Sequence, residues 1–381
     1  MLKFLTLNPE AFGIDISDLS LKLIKLKKKG DDLSLSSFGY ASIKPGIIKE
    51  GKIKNEIGLV KIIRKAIRNV EGEKIKTNYV IASLPEEKAF LQVIKMPKVE
   101  KEEIESAIRF EAENYIPVPL HKVYLDFQII PPLNQKQSYL EVLLAAMPKE
   151  IVDSYVSCFR KAGLKIKALE VDSIAVTRAL IKQGKSSEPV LLIDLGADRT
   201  SFIIFKDNSL RFTSSVPVSC QKFTEAVSRV LKVDIKKAER LKIKYGLMGP
   251  EKIHLKGKRN KERFKKEIIW EERIFEALIP VLTDLVEQTK SYLDYYQSHE
   301  SSNHLSKKRK GVEKIILSGG GANLKGLSNF LSLELKVLTQ SGNPWLNISK
   351  EIELPLEESL KYTTAIGLAL RGINSTNQTL I

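Results

Sequence analysis

The chain has 381 residues, 43% of them apolar and 28% charged, which is long enough for two or more cores and typical of a globular protein. No apolar run reaches the ~18 to 20 residues of a membrane helix, and the opening MLKFLTLNPEAF is too short and too broken by Pro9 for a signal peptide, so a soluble protein inside the cell is expected. Two cysteines without a C-x-x-C and four histidines (His121, His254, His299, His304) without an H-E-x-x-H exclude a disulfide framework, a zinc knuckle and a zincin site.

The formal charge of +16 asks for an acidic partner, but the excess is regional. Residues 232–266 hold 14 basic and 4 acidic side chains, and KKRK at Lys307 to Lys310 adds more. Aromatic residues hardly interleave with this run, which disfavours a nucleic-acid stacking platform and leaves a solvated face or contact with anionic lipid or a protein.

In chain order, GIDISDLSLKLIKL (Gly13 to Leu26) reads as strand, turn and alternating strand, with Asp15 at the end of the first strand. LSLSSFGYASI continues as strand, GLVKIIRKAIRNV is an amphipathic helix, and YVIASLP is another strand, an order that fits an α/β lobe. Residues 86–164 form a compact unit of strand, helix, strand, strand, helix inserted into that lobe. Its first helix starts near Lys101 and is expected to end at Ile116-Pro117, because a residue before proline is pushed out of the helical region. ALEVDSIAVTRALI (Ala168 to Ile181) reads as a helix start returning to the first lobe within residues 165–188.

LIDLGADRTSFIIF (Leu192 to Phe205) repeats the first hairpin, with Asp194 matching Asp15 and Gly196 matching Ser17. Two such hairpins suggest two similar lobes, residues 1–85 and 189–231, each giving one turn to a shared cleft. A basic, helix-rich region spans residues 232–314, with Ile274, Leu278, Leu282, Leu285, Tyr292 and Tyr296 as an apolar stripe past Pro280. Residues 315–360 carry the buried strand and glycine turn of KIILSGGGANLKGLSNFL, and residues 361–381 a last helix returning to the first lobe, followed by a polar tail.

Backbone N–H groups converging at tight turns and helix starts hold phosphate, and glycine allows close approach. Three turns qualify: Asp15 to Ser20, Asp194 to Thr200, and Ser318 to Ala322. No P-loop or Rossmann fingerprint is present. Two aspartates suit a magnesium ion held largely through water and phosphate oxygens.

Two aspartate hairpins followed by a late strand-GGG-helix turn resemble the two-lobed actin-like (ribonuclease H-like) nucleotide-binding fold, here with an inserted α+β subdomain in the first lobe. Within it, AIRFEAENYIPVPLHKVYLDFQII, LIDLGADRT, FTSSVPVSCQKFTEAV, SYLDYYQS and IILSGGGANLKGLSNFL resemble the PilM family of type IV pilus assembly proteins over about Gly13 to Arg371. The resemblance implies a cytoplasmic scaffold peripheral to the inner membrane, with a groove beside the inserted subdomain, near Arg109 to Tyr115, taking the N-terminal cytoplasmic peptide of a PilN-like partner. It implies ATP and Mg2+ as ligands, with Asp15, Ser17, Ser20 and Lys22 at the first phosphate turn and Asp194, Gly196 and Thr200 at the second. Gly319, Gly320 and Gly321 would lie by the nucleoside, Asp15 and Asp194 by the metal. Glu170 or Asp172 would position an attacking water, the plain alternative being a helix cap.

The family pattern has glycine at Ser17, a small polar residue at Asp18 and Gly-Gly at Ser219-Cys220. These departures weigh against hydrolysis and favour ATP as a structural or switch ligand. The alternatives are an active ATPase driving assembly of a pilus or secretion machine, and an FtsA-like filament former, although FtsA carries a C-terminal amphipathic helix where this chain has GINSTNQTLI.

Overall fold

The computed structural model describes residues 9–30, 32–100, 102–131, 138–247, 261–300, 311–348 and 354–373. His254, His304, the KKRK run, residues 248–260 of the basic region and the tail from 374 lie outside them. The order is β1 (Ala11–Ile16), β2 (Ser20–Lys29), β3 (Asp32–Ser42), β4 (Ile48–Lys49), β5 (Lys52–Ile53), α1 (Glu56–Arg68), β6 (Glu71–Gly72), β7 (Tyr79–Leu84), β8 (Phe90–Pro97), α2 (Ile104–Ala112), β9 (Val123–Ile130), β10 (Tyr139–Pro148) and α3 (Lys149–Ala162). It continues as β11 (Lys165–Val171), α4 (Asp172–Leu180), β12 (Ser186–Leu195), β13 (Thr200–Asp207), β14 (Ser209–Val216), α5 (Cys220–Leu231), α6 (Ile235–Tyr245) and α7 (Lys261–Glu300). The chain ends with β15 (Lys314–Ser318), α8 (Leu327–Leu335), β16 (Leu338–Ser341), α9 (Leu356–Ser359) and α10 (Thr363–Ile373). The chain divides into two compact units: Met1–Ser187, Ile203–Ser214 and Asn343–Ile381 form unit 1, and Glu188–Phe202 and Ser215–Gly342 form unit 2.

Unit 1 is built on a six-stranded mixed sheet in the order β11-β7-β1-β2-β3-β6. β1 is buried along its whole length, as expected of an inner strand with both faces covered. α1 opens on Asn55, whose Oδ1 accepts the Gly58 amide at 2.8 Å, and it buries Leu59, Val60, Ile63 and Ala66. α10 lies against β1 and α4 so closely that a Cβ on Gly13 would stand 2.4 Å from the Ala365 carbonyl oxygen, and one on Gly367 1.9 Å from that of Ala175. Trp345 and Leu354 share one cluster with Ile24, Leu26, Tyr362 and Ile366, so the chain joins unit 1 from Asn343 onward.

The inserted strands form a separate antiparallel sheet, β8-β10-β9, with Leu143 opposite Gln128 and Val93. α2 closes its own small core with Ile108 and Ala112 against Ile94, Met96, Val142 and Leu144. Regular helix stops at Ala112, earlier than Ile116-Pro117, yet the Ile116 amide still donates to the Ala112 carbonyl at 3.0 Å. That is the last bond available, since Pro117 has no N–H. α3 lies on α1, joined by Ser157 and Lys161 to Glu56 at 2.7 and 2.5 Å.

Sequence periodicity assigned residues 168–171 to a helix start, but they belong to β11, which runs parallel to β7 with Glu170 opposite Ser83. The short alternation in KIKALEV is decided by a strand more than 80 residues upstream, so local pattern does not reveal it.

The second sheet has the order β14-β13-β12-β15-β16, with β12, β15 and β16 parallel. In unit 2, α7 turns Ile274, Leu278, Leu282, Leu285 and Tyr296 inward, and Tyr292 sets its ring 4.9 Å from that of Phe202. Among the described residues no helix is long and apolar enough to cross a membrane.

Candidate functional site

In unit 1 the first hairpin brings Asp15, Ser17, Ser20 and Lys22 together. Asp15 and Lys22 are cross-strand partners, and Lys22 Nζ lies 2.9 Å from Asp15 Oδ2. Ser83 donates its hydroxyl to Asp15 Oδ1 at 3.1 Å and accepts the Ile16 amide at 3.0 Å, so this buried serine, which the sequence does not single out, fixes the aspartate. The turn is closed by the Ser17 amide on the Ser20 carbonyl at 2.9 Å, with the two serine hydroxyls 3.0 Å apart. Asp18 accepts the amides of Glu50 at 2.6 Å and Gly51 at 2.9 Å, so its charge is taken up by two backbone donors.

Glu170 lies on β11 with its carboxylate fully enclosed. Arg178 on α4 meets it as a fork, Nη1 on Oε2 and Nη2 on Oε1 at 2.5 Å each, and Arg371 on α10 reaches Oε1 at 3.2 Å. Arg178 also donates to the Gly367 carbonyl at 3.1 Å, which joins β11, α4 and α10. Burial alone would lower the pKa of Arg178, but the Glu170 carboxylate outweighs it and holds the guanidinium above its ordinary value. Burial lowers Arg371 despite the same carboxylate. Asp172 is the first residue of α4, where a carboxylate suits the positive end of the helix.

In unit 2, Asp194 on β12 is paired in register with Ser318 on β15, and the Ser318 hydroxyl donates to Asp194 Oδ1 at 2.6 Å. The turn after β12 is closed by the Gly196 amide on the Arg199 carbonyl at 2.8 Å, where a Cβ on Gly196 would stand 2.8 Å from that oxygen. Thr200 is buried and spends its hydroxyl on the Val218 carbonyl at 2.7 Å. Ser219 caps α5 by accepting the Lys222 amide at 3.3 Å, and the Cys220 amide donates to the Gly196 carbonyl at 3.1 Å. The pair standing in place of Gly-Gly thus builds a capped helix start beside the turn.

The three glycines are not equivalent. Gly319 has φ +78° and a Cβ there would stand 2.4 Å from the Leu195 carbonyl oxygen, while one on Gly321 would meet Cys220 Sγ at 2.5 Å. A Cβ on Gly320 meets nothing within 4 Å. Packing explains the outer two and leaves the middle one open to approach from outside. Lys242, also not anticipated, is buried on α6 with Nζ 2.9 Å from Thr224 Oγ1, 3.2 Å from the Cys220 carbonyl and 2.8 Å from Glu239. A lysine within the inward stripe Ala238, Lys242, Tyr245 was its visible signal.

Unit 1 also contains a groove of about 440 Å³. The inserted subdomain lines it with Gln128, Pro131 and Leu143, β11 and α4 with Glu170, Ile174, Thr177 and Arg178, and the β13–β14 hairpin with Phe205 and Asn208 to Leu210. Arg211 spans from that hairpin to Glu141 of β10 at 2.7 Å. Arg109 to Tyr115 do not line it; Phe110 is exposed on α2 and Tyr115 just beyond its end, and Arg109 pairs with Glu105 at 3.2 Å.

Two α/β units, each with an aspartate at the end of an inner strand followed by a hairpin, define an actin-like protein of the ATPase fold. The solved structure of a PilM-PilN type IV pilus biogenesis complex superposes with a TM-score of 0.75 and 27% identity, covering 97% of this chain and 100% of that one. MreB 5 of Spiroplasma citri bound to AMPPNP shares the fold at a TM-score of 0.55 and 10% identity, covering 96% of both chains. The model of the family described as type IV pilus assembly protein PilM matches residues 13–255, and this chain belongs to that family. The cell division protein FtsA model matches residues 191–367. FtsA of Enterococcus hirae is 27% identical over 194 residues, 49% of this chain and 40% of that protein, so the match spans well under half of the relative.

Proposed function

We propose that this chain is an actin-like scaffold of type IV pilus assembly that takes the N-terminal cytoplasmic peptide of a PilN-like inner-membrane partner in the groove of unit 1. The observation that carries the reading is the composition of that groove. Its walls include β9, the outer strand of the inserted sheet, and β14, the outer strand of the second sheet, so two outer strands border a slot with apolar, amide and charged lining. An extended segment adding to a strand edge, with alternate side chains in pockets, suits such a slot. Binding that partner would bring the protein to the cytoplasmic face of the inner membrane.

ATP with Mg2+ is the nucleotide ligand in this reading. The open face of Gly320, the tight Gly196 turn and the Asp194 carboxylate support it in unit 2, and the Asp15 hairpin supports it in unit 1. Among the described residues no group of three or more His, Cys, Asp or Glu could hold a metal ion, and a magnesium relying on one or two carboxylates plus phosphates and water needs none. Both Glu170 oxygens rest on arginines, which favours the nucleotide as a structural or switch ligand. The outward face of α6 carries Lys236, Lys237, Arg240 and Lys244 around the exposed Ile235 and Ile243, which supports an accessory contact with anionic lipid.

The test is calorimetry of a synthetic N-terminal peptide of the partner against the full chain, with Leu143→Arg and, at Lys185, which also lines the groove, Lys185→Glu as groove variants. Saturable binding lost in Leu143→Arg is expected, and binding unaffected by both variants sinks the groove assignment. Magnesium-dependent ATP hydrolysis abolished by Asp194→Ala would replace the scaffold with the working ATPase.

A further inference from the structure

The turn between β4 and β5 is made of Glu50 and Gly51, both in the left-handed region at φ 50° and 71°, the backbone required for a two-residue hairpin. Successive amides in such a turn form a small concavity for an anion. Here the anion is internal, since the Asp18 carboxylate from the β1–β2 turn accepts the Glu50 amide at 2.6 Å and the Gly51 amide at 2.9 Å. The Gly51 carbonyl in turn accepts the hydroxyl of Tyr155 on α3 at 3.2 Å, and Tyr155 is 1% exposed. A Cβ on Gly51 would meet the Pro85 ring at 2.8 Å and Glu87 Oε1 at 3.0 Å, so its backbone also presses on the link through which the chain leaves β7 for the inserted subdomain.

One dipeptide therefore touches three things: the turn read as a phosphate turn, the outgoing link of the inserted subdomain, and the helix by which the chain returns from it. We propose that Asp18 and Tyr155 are positioning residues that set the pose of the inserted subdomain against the β1–β2 turn, so that the state of the turn is felt in the partner groove. This rests on the proposed function, because Gln128 and Leu143 are groove walls that the inserted subdomain carries. The acidic residue that looks misplaced for phosphate has a job that a small polar side chain could not do, since only a carboxylate presents two acceptor oxygens with full charge to two amides. The competing account is a local one, in which Asp18 merely ties down a hairpin.

Hydrogen–deuterium exchange on the full chain without ligand separates the two. Asp18→Ala, Tyr155→Phe and the double variant are compared with wild type. The Ser17 and Ile43 amides, which are bonded to the Ser20 and Leu19 carbonyls at 2.9 Å, report on the turn. If the junction is one unit, Tyr155→Phe speeds exchange at Ser17 and Ile43 roughly tenfold, although it touches neither, and Asp18→Ala speeds exchange at the start of α3 and at residues 86–90. The double variant then adds little to either single one. Changes confined to Glu50 and Gly51, or strictly additive ones, overturn the proposal. A second arm titrates the partner peptide with and without MgATP. A nucleotide-dependent change in affinity that vanishes in Asp18→Ala is expected, and one that persists in Asp18→Ala overturns the relay. Absence of peptide binding in wild type overturns the partner reading, while the exchange data still decide the junction.

Discussion

Glu170 and Arg178 face each other as a bidentate pair, both N–O distances 2.5 Å, with the carboxylate fully enclosed and Arg371 closing on it at 3.2 Å. Removing one member of such a pair leaves a buried charge without its counterpart, at a typical cost of about 3 to 5 kcal/mol. Arg178→Ala and Glu170→Ala are each expected to lower unfolding free energy by about that amount in urea titrations. A Glu170→Gln protein of wild-type stability but without ATP turnover would instead make Glu170 a reacting group.

The glycine turn after β15 predicts a graded response. Gly319→Ala and Gly321→Ala put a methyl into the Leu195 carbonyl and Cys220 Sγ respectively and should each cost about 1 to 3 kcal/mol, read as a lowered Tm. Gly320→Ala has room and should fold like wild type. Gly320→Val tests the open face by equilibrium binding: reduced ATP affinity at unchanged Tm is expected, and unchanged affinity excludes close approach there.

Burial pushes the Cys158 thiol up to about 12 and that of Cys220 up to about 11, against roughly 8.5 for a free cysteine. The raised value means that the neutral thiol persists as pH climbs, so little thiolate exists near pH 8. Alkylation of the native protein at that pH should run at least ~100-fold slower than for a free thiol and recover on unfolding. Rapid native labelling of Cys220 would mean that the start of α5 opens.

The exposed cations of α6 predict salt-sensitive adhesion to anionic vesicles. Each contributes about 1 kcal/mol near a negative surface. Lys236→Glu with Arg240→Glu should abolish co-sedimentation at low salt, and equal retention on neutral vesicles removes the electrostatic account.

Several elements were legible in the sequence. The alternation after Asp15 and Asp194 marks both hairpins, the spacing of Leu59, Ile63 and Ala66 marks α1, and the strand, helix, strand, strand, helix order of residues 86–164 is the one observed. β11 was not legible, because its strand character comes from pairing with β7. Nor was the partner of Asp18, which lies 32 and 33 residues away on a turn whose amides no side-chain pattern announces.

Residue order alone marks where the two aspartate hairpins turn and which face of α1 is apolar, since backbone sterics and hydrophobic period act over a few residues. Tertiary contacts decide the rest. Asp15 and Asp194 look equivalent as letters, yet Asp15 is held by Lys22 at 2.9 Å and Ser83 at 3.1 Å, while Asp194 takes the hydroxyl of Ser318, 124 residues on, at 2.6 Å. Gly319, Gly320 and Gly321 look alike until Leu195 and Cys220 are set against two of them. The reason is that the partners and accessibility of a residue depend on atoms within a few ångströms, and folding brings those atoms from anywhere in the chain.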